Sequence, residues 1–266
     1  MPTAHRGEVE LYYESTGGGP AVLLVMGLGM NATGWWRTVP VLAGAGLRVL
    51  AFDNRGVGRS GRPGAPHTTA DMADDAIAVL DAADVQRAHI YGISLGGMIA
   101  QEIALRHSER VDRLVLGATT PGGPDAVVAP EATLAFFARR ADMPAEEAVW
   151  ASVPYNYAPG TRMDHGDRIA EDIRQRLRFP VESEPYRAQL AAALGHDTHD
   201  RVPGITIPTL IVHGQQDVMV DPANGRLLAR LIPGARLVEF PRAAHLYPTD
   251  DPAVDREVAA FLTATD

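Results

Sequence analysis

Six serines occur among the 266 residues, and one of them stands in a setting that could make it a nucleophile. Ser94 lies within Gly92-Ile93-Ser94-Leu95-Gly96-Gly97, directly after the apolar run Ala88 to Tyr91 and directly before the helical spacing of Gly96 to Arg106. G-x-S-x-G between a strand and a helix is the pattern of a nucleophile elbow, a sharp turn that presents the hydroxyl at the top of a sheet. The flanking glycines are a steric requirement, because strand and helix backbones approach closely there and the serine backbone is strained. With 26 Gly and six Ser, a shuffled chain would carry about 0.06 such matches, so chance is a poor account of it. The competing reading is a glycine-rich turn with an incidental serine.

A serine hydroxyl is a weak nucleophile at neutral pH unless a histidine takes its proton and an acid orients that histidine. The elbow's usual chain order is Ser, then Asp or Glu, then His. Of nine histidines only His245 lies beyond the last well-formed acid loop. That loop, His213-Gly214-Gln215-Gln216-Asp217, follows the strand-like Thr209 to Val212 and leaves Asp217 at the sheet edge. Asp221 is the rival, but it directly precedes Pro222 and reads as the N-cap of the next helix. Asp217 is therefore the preferred acid. The backbone amide of Leu95, the residue after the nucleophile, is one expected oxyanion donor. Together these residues point to acyl transfer.

Such a set needs a scaffold whose strand ends converge on one edge, and the chain alternates accordingly between strand-like and helix-like segments, the pattern of a mostly parallel sheet wrapped by helices. Glu8 to Glu14 alternates apolar and polar positions, as a half-buried edge strand does. Val22 to Val25, Arg48 to Phe52, Ala88 to Tyr91, Leu114 to Leu116, Thr209 to Val212 and Arg236 to Phe240 read as buried strands. Thr69 to Ala83, Gly96 to Arg106, Pro222 to Leu231 and Pro252 to Leu262 carry helical spacing. Pro121 to Gly204 interrupts this rhythm for some eighty residues, several times a usual crossover. Helical stretches at Glu131 to Arg140, Ala145 to Ala151 and Gly166 to Phe179 make it a helical insertion, placed as a lid over the sheet end. The expected organisation is a core from 1–120 and 205–266 with a cap from 121–204.

Composition removes other chemistries. All 24 basic side chains are Arg, so Schiff-base lysines, Ser-Lys dyads and Gly-Lys phosphate loops are excluded. The absence of Cys removes thiol nucleophiles, disulfides and thiolate metal sites. A net charge of −9 argues against nucleic acid and anionic membrane surfaces as partners. Met1 to Glu10 carries charges rather than an apolar leader, and the run Ala21 to Met26 is far short of a span of roughly 20 residues, which gives a soluble, cytoplasmic protein with no membrane partner.

Met26-Gly27-Leu28-Gly29, Asp53-Asn54-Arg55-Gly56-Val57-Gly58-Arg59-Ser60, Gly92-Ile93-Ser94-Leu95-Gly96, Gly214-Gln215-Gln216-Asp217 and Ala244-His245 together resemble the α/β-hydrolase fold over nearly the whole chain. In detail the chain is similar to the branch holding 3-oxoadipate enol-lactonase-like esterases and cofactor-free haloperoxidases. The resemblance implies an eight-stranded, mostly parallel sheet with 121–204 as helical cap, no cofactor and no metal. It also implies a second oxyanion donor, the backbone amide of Leu28. Relatives usually carry His where this chain has Met26, and in that it resembles the aclacinomycin methylesterase type of esterase. Haloalkane dehalogenase and epoxide hydrolase chemistry is disfavoured, since those relatives place Asp at the position of Ser94.

Weaker signals have plainer readings. Asp53 to Ser60 lacks the spacing of a dinucleotide fingerprint and reads as structural. His196-Asp197-Thr198-His199-Asp200 has metal-like composition but reads as a polar hinge before a strand. Trp35 and Trp36, after the oxyanion loop, and Phe136, Phe137, Trp150 and Tyr155 in the cap are candidates for the substrate pocket, with Met98, Met219 and Leu246 as adaptable apolar wall. The expected function is a serine hydrolase acting on a small to medium, largely apolar carboxylic ester or lactone. Perhydrolysis, C–C bond cleavage or a lyase reaction on the same triad is the alternative, and a slow-turnover ligand-binding role is a more distant one.

Overall fold

The computed structural model describes residues 2–62 and 66–264. Its strands are β1 (Thr3–Arg6), β2 (Val9–Thr16), β3 (Ala21–Val25), β4 (Arg48–Phe52), β5 (Ala88–Ile93), β6 (Val111–Gly117), β7 (Thr209–Gly214) and β8 (Arg236–Phe240). They form one eight-stranded sheet in the order β1-β2-β4-β3-β5-β6-β7-β8. β1 with β2 and β2 with β4 pair antiparallel, and every later pair is parallel. β3, β5 and β7 are buried on both faces because helices cover both sides, so their sequences read as largely apolar runs rather than alternations.

Helices α1 (Thr38–Gly44), α2 (Thr69–Ala82) and α3 (Leu95–Arg106) fall between the early strands. Between β6 and β7 come α4 (Glu131–Arg140), α5 (Ala145–Ala151), α6 (Val153–Asn156), α7 (Pro159–Asp164), α8 (Gly166–Arg176) and α9 (Ser183–Leu194). α10 (Pro222–Leu231), α11 (Tyr247–Asp250) and α12 (Ala253–Leu262) complete the chain. One apolar core, with Leu23, Ile90, Leu114 and Ile99, lies under α2 and α3, and a second, with Val22, Tyr91, Val212 and Val258, lies on the opposite face.

Three local expectations need correction. The segment read as an edge strand is not at the edge: β1 adds outside β2, so β2 pairs on both sides. β1 itself is not legible in the sequence because four residues with one charge carry too little period to read. α9 was hidden by Pro185, which falls in the first turn, where a missing N–H costs nothing.

Candidate active site

The elbow is built by close packing of backbone on backbone. Ser94 has φ 58° and ψ −122°, left-handed backbone that a side chain rarely adopts. A Cβ on Gly92 would lie 2.0 Å from the Gly96 carbonyl oxygen, and one on Gly96 would lie 2.0 Å from that of Val25. No larger residue fits either position. The strained turn is tied from both ends: the Ser94 amide donates to the Gly117 carbonyl at 2.8 Å, and the Thr119 hydroxyl donates to the Ser94 carbonyl at 2.8 Å.

Asp217 and His245 sit on two loops that are bonded to each other, Gln215 and Gln216 donating their amides to the carbonyls of Phe240 and Ala243. The His245 Nδ1 lies 2.7 Å from Asp217 Oδ2, and both side chains are buried. Asp217 Oδ1 accepts the amides of Met219 at 2.8 Å and Val220 at 3.0 Å. His213, fully buried, brings its Nε2 to 3.4 Å from Oδ2. Burial pushes the Asp217 carboxyl up, but His245 and His213 beside it outweigh that and hold it well below the ordinary carboxylate range. Asp221 is engaged elsewhere, capping α10 by accepting the Ala223 amide at 2.8 Å. The His245 loop is pinned on both sides, the Ala244 amide to Asp250 and the Leu246 amide to the Asn156 carbonyl.

Ser94, His245, Leu28 and Leu95 all line one cavity of about 300 Å³. Among the described residues no hydrogen bond joins Ser94 to His245, whose Nδ1 is engaged by Asp217. The loop carrying Leu28 is held by side chains, not by the missing histidine. Asn54 donates Nδ2 to the Met26 carbonyl at 2.9 Å, Asp53 accepts the Ala32 amide at 2.7 Å, and Gln189 of α9 accepts the Gly29 amide at 3.0 Å. Met26 itself is buried, and a Cβ on Gly34 would lie 2.6 Å from its terminal methyl. The Asp53 to Ser60 segment thus serves as a brace for this loop. Among the described residues neither the Leu28 nor the Leu95 amide has an acceptor.

The pocket candidates separate. Met98, Phe137, Met219 and Leu246 line the cavity. Trp35 and Trp36 do not: they border a smaller crevice behind Met26 and Met30, where Trp36 Nε1 donates to Asp172 at 2.9 Å. Phe136 and Tyr155 stack on each other at 4.3 Å inside the insertion, and Trp150 is 52% exposed. Helical period explains the split on α4: Phe136 faces inward to the insertion, Thr133 donates its hydroxyl to the Val218 carbonyl of the Asp217 loop, and Leu134 and Phe137 face the cavity. Sequence reasoning missed Arg140 and Arg176, which also line the cavity; Arg140 follows Phe137 by three residues on the same helix, a spacing that could have marked it.

The His196 to Asp200 cluster does not gather around a point. His196 lines the cavity and hydrogen-bonds through Nδ1 to the Thr69 hydroxyl at 3.0 Å, whereas His199 turns outward to Asp200 and Asp125. Burial pushes the His196 imidazole down to about 4. Among the described residues no group of three or more His, Asp or Glu is placed to hold a metal, and no helix is long and apolar enough to cross a membrane.

Comparison with known proteins agrees with this fold. The model of the α/β-hydrolase fold family matches residues 20–252. The chain is 32% identical to a protein of Azorhizobium caulinodans that bears the name carbamate hydrolase RutD, over 97% of this chain and 96% of that one. It is also 32% identical to rhodomycin D methylesterase DauP of Streptomyces sp., over 99% and 98% of the two chains. The crystal structure of the enol-lactonase from Burkholderia xenovorans LB400 superposes with a TM-score of 0.88 at 28% identity, covering 99% of this chain and 100% of that one. An eight-stranded, mostly parallel sheet, a strained Ser94 elbow and a match over most of the sequence lead to one assignment: the chain belongs to the α/β-hydrolase fold family.

Proposed function

We propose that this protein is a serine hydrolase that cleaves a small to medium carboxylic ester or lactone through an acyl-enzyme intermediate. The observation that carries the reading is the convergence, on one cavity, of the strained Ser94, a His245 held by Asp217 and two unoccupied backbone donors. An ionised Asp217 is an acceptor only, so the proton between it and His245 belongs to Nδ1, which leaves Nε2 free as the base. Ser94 Oγ attacks the acyl carbon while Nε2 takes its proton, and the amides of Leu28 and Leu95 hold the developing oxyanion. His245 then returns the proton to the leaving alcohol, and a water activated by the same imidazole releases the acid. Residues 121–204 act as the cap, closing over the sheet edge and supplying much of the cavity wall. The methylesterase and enol-lactonase names of two relatives favour ester or lactone bonds as the substrate class.

The test is a panel of esters and lactones of graded acyl length, with covalent labelling by a fluorophosphonate. Wild type should turn over and label; Ser94→Ala should lose turnover by roughly 10⁶-fold and lose the label while keeping its fold. Labelling that persists in Ser94→Ala would identify another nucleophile and overturn the reading.

A further inference from the structure

Two arginines of the insertion are buried against the candidate active-site cavity without a carboxylate. Arg140, at the end of α4, and Arg176, at the end of α8, are each only 7% exposed, and both line the cavity that holds Ser94. Among the described residues neither lies within ion-pair distance of an acid, and Arg140 Nε and Arg176 Nη1 are buried with no hydrogen-bond partner. The obvious partner for Arg176 is Asp172, one turn back on the same helix. Its carboxylate is already taken by Arg37, Trp36 and the Thr249 hydroxyl. Arg140 lies over the Tyr186 ring at 4.7 Å, which offsets part of its charge. Glu182, in the crevice beyond the two guanidiniums, pairs with Arg62.

Two like charges that line one desolvated wall and repel each other are costly, and an anion bound there would offset the cost. Their position says which end of the site it occupies. A Cβ on Gly29 would lie 3.3 Å from Arg140 Nη2, so this guanidinium stands beside the loop that carries the Leu28 amide. Guanidinium presents paired donors that match a carboxylate. We propose, building on the hydrolase reading above, that Arg140 and Arg176 form a carboxylate-binding subsite, so that the preferred substrate is an ester or lactone bearing a free carboxylate a short spacer from its acyl carbon. The largely apolar substrate expected from sequence is thereby refined to an apolar chain with an anionic end.

The experiment compares monoethyl succinate, glutarate and adipate with ethyl butyrate, valerate and hexanoate, matched in acyl length, as ratios of kcat/KM. Charged hydrogen bonds of this kind correspond to about 10- to 100-fold. Wild type should favour at least one acid-bearing ester by about tenfold or more, and R140M and R176M should each lower that ratio by a similar factor. A ratio within one variant cancels any loss of folded protein. In parallel, the unfolding temperature is followed while glutarate is added. Glutarate should raise it in wild type and not in the variants, and without glutarate the variants should match or exceed wild type, since each has lost a buried unpaired cation. A purely packing role would lower it instead. Turnover of neutral esters with no acid preference and no glutarate effect overturns the subsite while leaving the hydrolase reading intact. Glutarate stabilisation that depends on both arginines, with no ester turned over and no fluorophosphonate label, overturns the hydrolase reading and keeps the anion site.

Discussion

The sheet core and the helical insertion both bury arginine, and they treat it in opposite ways. In the core, Arg55 meets Asp75 bidentately, Nε to Oδ2 at 2.5 Å and Nη2 to Oδ1 at 2.6 Å, with Arg6 flanking at 3.6 Å. In the insertion, Arg140 and Arg176 have no acid within reach among the described residues. The same contrast runs through the cavity. Its floor is made of loops whose polar groups are braced: Asp217 has two amides and a histidine, Asp53 holds the loop that carries Leu28, and Asp250 holds the amide before His245. Its roof contributes apolar side chains such as Phe137 and Leu190 together with the two unpaired cations. A braced floor suits chemistry common to many substrates, and a roof with unmet donors suits the choice of one.

The largest expected effect that separates floor from roof is at the acid. Asp217→Asn should lower kcat by about 10⁴-fold, since the amide favours the wrong imidazole tautomer, while Asp221→Asn should leave kcat nearly unchanged and alter stability by less than about 1 kcal/mol. Steady-state kinetics on both variants decide this, and a reversed pattern would move the acid to Asp221.

The paired and unpaired arginines should respond to the same substitution with opposite sign. Arg55→Met strands Asp75 in the core and should cost about 3 to 5 kcal/mol in denaturant unfolding, softened by the remaining Arg6. Equal losses for Arg55→Met and Arg140→Met would erase the contrast between the regions.

His196 tests the join between them, because it lies where the insertion returns to the sheet. Its imidazole titrates at about 4 when folded and near 6.5 when unfolded, so as pH falls the unfolded chain takes up the proton first. Stability should be whole above about pH 6.5 and decline toward about pH 4, by on the order of 3 kcal/mol from this group. His196→Gln should flatten that decline. His89, lowered by the same burial, is present in both proteins, so the difference between the two pH profiles isolates His196.

The smallest effect on substrate handling distinguishes neighbours on one helix. Phe137→Ala should raise KM for longer acyl chains by about tenfold with little change in unfolding temperature, whereas Phe136→Ala should cost about 3 to 5 kcal/mol of stability. Similar outcomes for both would mean that α4 does not present two distinct faces.

Much of this was legible in the chain because the constraints were local. The elbow is written in Gly92, Ser94 and Gly96, a pattern readable over five residues even though the backbone that Gly96 must clear is that of Val25. The preference for Asp217 over Asp221 rested on Pro222, and the Asp221 side chain does cap α10 while Asp217 meets His245. The strand order was not legible, since pairing between strands far apart in sequence leaves no local mark, and β1 was not legible because a single buried Ala4 in four residues gives no period. Nor could the sequence say which cap side chains face Ser94. Period alone divides α4 into faces but cannot tell which face meets the cavity, and Trp35, Trp36, Phe136, Trp150 and Tyr155 are all absent from its lining. The arginine pair was least legible of all. Every Arg looks alike in a sequence with 24 of them, and only the tertiary structure decides which find a carboxylate and which are sealed in without one, because desolvation is a property of what packs around a charge.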